Sequence, residues 1–210
     1  MTERIAVIDY GMGNLRSVTN AFKSLGGDAT IAADPEELAA ADRIVLPGVG
    51  AFADGMLNLR ERGWVDALEE EVRRKGKPFL GLCIGMQVLA DRGTEHGSNA
   101  GLGWIAGTVE RIASDNGLRV PHIGWNDVTF TPAHAMYDGL GESDAFYFVH
   151  SYVLRPDDDS VVSGVCEYGG DFAASVETQN IRAAQFHPEK SHRAGLRLLK
   201  NFLLWRPVGE

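Results

Sequence analysis

The chain has 210 residues, with 20 basic and 29 acidic side chains and a formal net charge of −9. That acidic balance argues against a nucleic-acid footprint or an anionic membrane surface, and no apolar run is long enough to span a bilayer. With 44% hydrophobic and 23% charged residues, the composition is that of a soluble globular protein, and the length suits one domain over residues 1–210.

The first residues, Met1-Thr2-Glu3-Arg4-Ile5, lack the basic region, apolar stretch and cleavage site of a signal peptide. Residues 5–9 read as a buried strand, and Leu15, Val18, Phe22 and Leu25 then form a helical stripe stopped by Gly26-Gly27. Asp34-Pro35-Glu36-Glu37 marks a helix start: Asp34 is the N-cap, Pro35 takes the first helical position, and Glu37 completes a capping box. Residues 43–46 form the next strand, followed by the glycine-rich loop Pro47-Gly48-Val49-Gly50-Ala51-Phe52. A helix with Trp64, Leu68 and Val72 on one face ends in Arg73-Arg74-Lys75 and Gly76, the charges and glycine that a helix C-terminus prefers. Phe79-Leu80 then leads into Gly81-Leu82-Cys83-Ile84-Gly85, and residues 86–91 read as a helix. Strands alternating with helices predict an α/β fold, a parallel sheet covered on both faces.

After about Gly101 the pattern becomes β-rich. Residues 104–112, 125–130, 145–154, 161–168, 172–176 and 181–185 are strand-like, and Leu196, Leu199 and Leu203 mark a closing helix within 191–204.

Gly81 to Gly85, between a strand and a helix, has the form of a nucleophile elbow with Cys83 at its apex. The positive end of a helix favours the reactive thiolate. Taken alone, the pentapeptide equally fits an inert cysteine in a glycine-rich turn. A thiol nucleophile needs a base and a group that orients the base, and Gln185-Phe186-His187-Pro188-Glu189-Lys190-Ser191 supplies candidates for both. Pro188 biases His187 toward an extended conformation, where residues two apart point the same way. Glu189 then reaches one ring nitrogen of His187 and leaves the other for Cys83. The loop 47–52 follows a strand, at the edge where α/β sites form. Its glycines allow backbone N–H groups to turn toward an oxyanion, with the N–H of Ile84 as a second donor.

Together these pieces resemble the class I (triad) glutamine amidotransferases. The elbow and His-Pro-Glu belong to the whole class. Asp9 to Val18, the 47–52 loop, Pro121-His122-Ile123-Gly124-Trp125-Asn126 and Tyr147-Phe148-Val149-His150-Ser151-Tyr152 resemble a narrower group, the members that serve histidine biosynthesis. The resemblance implies a flavodoxin-like, mostly parallel central sheet and a glutaminase in which Cys83 attacks the glutamine side-chain amide, His187 manages protons and Glu189 orients it. It implies that Val49, Gly50 and Ile84 form the oxyanion hole, and that Gln87, Glu95, Ser151 and Tyr152 hold glutamine. Asn14 and Trp125 match positions on the partner-facing side. The implied partner is the (β/α)8-barrel cyclase subunit that makes imidazole glycerol phosphate, in a heterodimer; no cofactor is implied.

Ammonia is mostly protonated at neutral pH and is then no nucleophile, so an acceptor site must receive it before solvent does. A chain of this length leaves no residues for a second catalytic domain, which puts the acceptor on another polypeptide. Gly11-Met12-Gly13-Asn14 starts like a dinucleotide fingerprint, but Arg16 stands where the third glycine belongs. His122, His150, His187 and Glu189 lack metal-ligand spacing. Cys166 reads as a buried, inert thiol, and two cysteines without a disulfide framework suit a reducing, cytoplasmic compartment. Another triad glutaminase, a cysteine peptidase or γ-glutamyl hydrolase, and a non-catalytic regulatory subunit stand as alternatives.

Overall fold

The computed structural model describes residues 3–113, 117–131 and 134–207. The first half runs β1 (Arg4–Ile8), α1 (Leu15–Ser24), β2 (Asp28–Ala32), a 3-10 segment (Pro35–Ala40), β3 (Arg43–Gly48), α2 (Phe52–Glu61), α3 (Trp64–Leu68), a π-helical extension (Glu69–Arg74), β4 (Phe79–Cys83) and the single-turn α4 (Ile84–Gln87). The second half runs β5 (Ala90–Gly93), β6 (Asn99–Ala100), β7 (Ile105–Arg111), β8 (His122–Phe130), β9 (Ser143–His150), β10 (Tyr152–Pro156), β11 (Val162–Glu167), β12 (Asp171–Thr178), β13 (Ile181–Ala184) and α5 (His192–Leu204).

Nine strands form one sheet in the order β2-β1-β3-β4-β13-β12-β11-β8-β9, and β10-β7-β5-β6 form a second, smaller sheet. From β2 to β13 every pairing is parallel; from β13 to β9 every pairing is antiparallel. The sheet is therefore parallel in the half that carries the helices and antiparallel in the β-rich half. Alternation along β1 shows why both faces are covered. Ile5 and Val7 join Phe22, Leu198 and Phe202 in one core, while Ala6 and Ile8 join Met56, Leu59, Trp64 and Leu68 in the other. A strand buried on both sides is the expected consequence of helices packing on both faces.

Arg43 of β3 is buried, and its guanidinium ties the closing helix to the sheet. Nη1 donates to the carbonyl of Phe202 at 2.8 Å and Nη2 to that of Trp205 at 2.6 Å, while Nε donates to Glu3 Oε2 at 2.7 Å. The C-terminal carbonyls of α5, which lack intrahelical donors, are satisfied by a side chain from the sheet.

The capping box at Asp34 and Glu37 forms, but it opens a 3-10 segment. The helix expected at 86–91 is corrected to α4, which covers only Ile84–Gln87. Carbonyls of Val88, Leu89, Ala90 and Asp91 accept instead from the backbone of residues 101–105, so pairing within the smaller sheet overrides helix propensity. The single strand expected at 145–154 breaks at Ser151. His150 ends β9, paired with β8, and Tyr152 begins β10, paired with β7. Strands β2, β5 and β6 were not anticipated, because β2 shows no clean alternation of burial and β6 has two residues.

The backbone at the elbow is packed to contact. A methyl on Gly85 would collide with the Leu46 carbonyl, and one on Gly81 with the Gly85 carbonyl. At Gly141 the nearest atom to an added Cβ is 4.0 Å away. Gly85→Ala is therefore expected to lower unfolding free energy by about 3 kcal/mol, and Gly141→Ala to leave it within about 0.5 kcal/mol, both read by denaturant unfolding.

Candidate active site

Strands β3, β4 and β13 lie side by side and parallel, so their C-terminal ends emerge at one edge of the sheet. Gly48 pairs with Cys83 across β3 and β4, and Ala184 pairs with Leu82 across β13 and β4. The glycine-rich loop, the cysteine and the His-Pro-Glu segment thus leave the sheet beside one another, although they lie far apart in sequence. Cys83 sits at φ +54° and ψ −106° between β4 and α4. Positive φ is costly for a residue with a Cβ. Gly81 and Gly85 make the turn possible, because neither position has room for a side chain.

His187 is buried with its loop anchored from β9. Its N–H donates to the Tyr147 carbonyl at 2.9 Å. The Ser191 hydroxyl donates to the His187 carbonyl at 2.6 Å and accepts from the Tyr147 N–H at 3.0 Å. His187 Nδ1 lies 3.0 Å from Glu189 Oε1, and the Glu189 side chain is 1% exposed. A carboxylate only accepts, so Nδ1 carries the proton and Nε2 is left for Cys83. Among the described residues Nε2 makes no hydrogen bond of regular geometry, yet Cys83 is near enough to act on the ring electrostatically. Burial is the largest influence and pulls the imidazole pKa down. Interaction with Cys83 and then Glu189 outweighs it, leaving His187 raised to about 9. A thiol, an imidazole and a carboxylate in this order can deliver a thiolate and return a proton to a leaving group.

Cys83 opens on a cavity of about 320 Å³ lined by Val49, Gly50, Ile84, Gln87, Glu95, Pro121, Val149, His150, Ser151 and Tyr152, within the size range of small-molecule sites. All three oxyanion candidates and all four glutamine-holding candidates line it. Ile84 is the first residue of α4, so its N–H has no intrahelical acceptor. Gln87 is buried, and its Nε2 donates to the Tyr152 carbonyl and to Gln185 Oε1, each at 2.9 Å; its own Oε1 has no partner among the described residues. Glu95 Oε2 accepts from the N–H of Phe52 at 2.9 Å, linking the turn after β5 to the start of α2.

Asn14 and Trp125 lie outside the cavity lining. Asn14 is exposed and caps α1 by accepting from the Ser17 N–H at 3.4 Å. Trp125 on β8 is 48% exposed and stacks on His192, with ring centroids 5.0 Å apart and an interplanar angle of 7°. Among the described residues no cluster of His, Cys, Asp or Glu is arranged to hold a metal ion, and no helix is long and apolar enough to cross a membrane. Cys166 is buried, and burial above all raises its thiol pKa to about 12.

Sequence reasoning gave Gln185 and Ser191 no role of their own, and weighed His122 and His150 only as metal ligands. The extended segment expected through Glu189 is corrected: the chain is extended only at His187, Pro188–Lys190 form a 3-10 turn, and Glu189 meets the ring across that turn. Gln185 stands two residues before His187, beyond the end of β13. His122 and His150 are buried against each other, with Nδ1 of the first 2.9 Å from Nε2 of the second. His150 Nδ1 lies 3.0 Å from the Tyr152 carbonyl. Burial pushes His122 down to about 4; burial, opposed by that carbonyl, takes His150 down to about 3.

This edge, with its elbow and its row of three polar side chains, defines the class of protein. The profile of the family described as Glutamine amidotransferase class-I matches residues 6–205, and the chain belongs to that family. It is 48% identical over 213 residues to the imidazole glycerol phosphate synthase subunit HisH of Rhodospirillum rubrum, covering 97% of this chain and 100% of that one. The subunit of the same name from Moorella thermoacetica is 48% identical over 198 residues, covering 94% and 93%. PurLQS from Thermotoga maritima shares the fold at a TM-score of 0.77 and 19% identity, covering 97% and 99% of the two chains. A solved structure described as a glutamine amidotransferase has a TM-score of 0.74 at 25% identity, covering 95% and 97%.

The buried histidines set the pH limits of stability. His122 and His150 stay neutral in the fold but bind protons below about 6.5 when unfolded. Their contribution is complete above that pH and is lost as pH falls toward 4 and then 3. Unfolding free energy should drop by on the order of 1 kcal/mol per pH unit per histidine between pH 6.5 and 4, and the paired substitutions His122→Gln and His150→Gln should flatten that slope. His187 acts oppositely: its contribution is complete below 6.5 and is lost as pH rises through about 9.

Proposed function

We propose that the chain hydrolyses glutamine to glutamate and ammonia through a thioester on Cys83, and passes the ammonia to a separate cyclase subunit. It acts as the glutaminase subunit of imidazole glycerol phosphate synthase in histidine biosynthesis. The observation that carries this reading is Cys83 opening on the cavity with the buried His187–Glu189 pair behind it, in a chain similar to HisH over nearly its whole length.

The cysteine sulfur attacks the carboxamide carbon of glutamine, and the carbonyl oxygen becomes an oxyanion. Backbone N–H groups of Val49 or Gly50 and of Ile84 stabilise it, since charge developing in a water-poor site responds strongly to fixed donors. His187, whose protonated form Glu189 favours, gives its proton to the departing nitrogen, and ammonia leaves as the intermediate collapses to the thioester. It then takes a proton from water, which attacks the thioester, releases glutamate and restores the thiolate. Glu189 fixes the tautomer and orientation of His187 throughout. Gln87, Glu95, Ser151 and Tyr152 bind the amino-acid end of the substrate, and the free Oε1 of Gln87 is an acceptor for its N–H groups.

The cyclase is a (β/α)8-barrel that docks on the face carrying Asn14 and Trp125. Supporting this, Ile123 and Trp125 point to the same side of β8 and are 60% and 48% exposed, an apolar patch of the kind that marks a protein interface. Two free cysteines support the cytoplasm as the compartment.

With the barrel subunit present, Cys83→Ala should reduce glutamine-dependent synthesis by roughly a thousandfold or more while synthesis from added ammonia persists. Loss of both activities would remove Cys83 from the role assigned to it. Trp125→Ala should weaken association with the barrel subunit by roughly tenfold or more, the effect of truncating an aromatic anchor, as read by titration calorimetry.

A further inference from the structure

A backbone carbonyl near the cavity determines the direction of every hydrogen bond leading from it to the nucleophile. The Tyr152 carbonyl can only accept. Gln87 must therefore turn its NH2 group toward it, at 2.9 Å. The other hydrogen of that NH2 group goes to Gln185, 2.9 Å away, which requires the Gln185 carbonyl to face Gln87. The Gln185 NH2 group is then left facing Cys83, with Nε2 3.6 Å from Sγ. Side-chain amides are oriented by such networks, and here the network leaves one arrangement. The same carbonyl fixes the histidine pair. His150 must carry its proton on Nδ1 to bond Tyr152, so its Nε2 accepts from His122 Nδ1. His122 Nε2 then accepts from Asn126 Nδ2 at 3.3 Å.

The geometry points to Gln185 as a further catalytic residue, whose amide N–H bonds the Cys83 sulfur and favours the thiolate over the thiol. Gln185 is fully buried, and its position in the strand-to-loop passage is held by its own N–H, which donates to the Ala174 carbonyl at 2.8 Å. A thiolate is a far better acceptor than a thiol, so a donor held in place by two other bonds stabilises the charged form selectively. The groups that act on the sulfur are His187, which is cationic beside the thiolate, and the neutral phenol of Tyr10, whose pKa burial and then Cys83 raise. Glu189 acts on it through His187, whose pKa it raises, and His150 stays neutral beside His187. Gln185 differs from these in donating a hydrogen bond to the sulfur from a group that does not titrate, whereas the Tyr10 hydroxyl has no hydrogen-bond partner among the described residues. This role rests on the reading of Cys83 as the nucleophile.

The test is the pH dependence of Cys83 alkylation by iodoacetamide in the whole chain, without glutamine, comparing wild type with Gln185→Met. The midpoint should rise by about one pH unit in the variant, slowing alkylation roughly tenfold below it, with the rate at high pH retained. A superimposable profile, or uniform slowing at every pH with the midpoint unchanged, would overturn the proposal. Should Gln185→Met fail to fold, the wild type carries the test through the side-chain amide proton resonances of Gln185. They should shift with the thiolate midpoint and not shift in Cys83→Ala; invariant resonances would overturn the role. A wild-type midpoint at about 8.5, that of an ordinary thiol, would instead overturn the nucleophile assignment and this role with it.

Discussion

The site depends on the contact between the first turn after β4 and the end of β3. The Leu46 carbonyl lies where any side chain on residue 85 would be, and residue 81 is closed off by the backbone of Gly85 in the same way. That contact drives the chain to reverse at Cys83 and holds it at a positive φ of 54°. Strain of this kind costs roughly 1–3 kcal/mol and persists only where surrounding structure over-determines it. Here the surroundings are β4, completely buried between β3 and β13, so the burial of a central strand holds Cys83 in place. Because the flanking strands run parallel to β4, the loop after one and the loop after the other arrive on the two sides of the sulfur.

Electrostatics around this point separate two sets of histidines. His187 and His150 are both buried, and both feel the loss of water as the largest influence on their protonation. They diverge because of their partners. His187 faces a thiol and a carboxylate and is raised to about 9; His150 faces a carbonyl and another imidazole and falls to about 3. Near neutral pH the site therefore holds one cationic imidazole beside two neutral ones. The neutral pair keeps a second positive charge away from His187 while fixing the Tyr152 carbonyl.

The break at Ser151 joins the two sheets to this chemistry. Strand β9 ends beside β8 in the large sheet, and one residue later β10 begins in the small sheet. Ser151 and Tyr152 line the cavity at that junction, and the carbonyl of Tyr152 receives both Gln87 and His150. The cavity wall is thus made where the chain changes sheets, and the β-rich second half completes a site begun by the α/β first half.

Local patterns were enough to reveal the α/β first half, the elbow at Cys83 and the pairing of His187 with Glu189. Each depends on residues within a turn or a two-residue spacing of one another, and short-range sterics govern such geometry. The candidates for holding glutamine and for the oxyanion hole were read through family resemblance, and the fold brings those residues around one cavity. The end of the helix after Gln87, the split at Ser151 and the small sheet were beyond local reading, because each is decided by backbone pairing with segments distant in the chain. Gln185 shows the division most clearly. It stands two residues before His187 in the chain, but only the fold brings Gln87 and the Tyr152 carbonyl against it, and only a fixed acceptor can decide which end of an amide meets the sulfur.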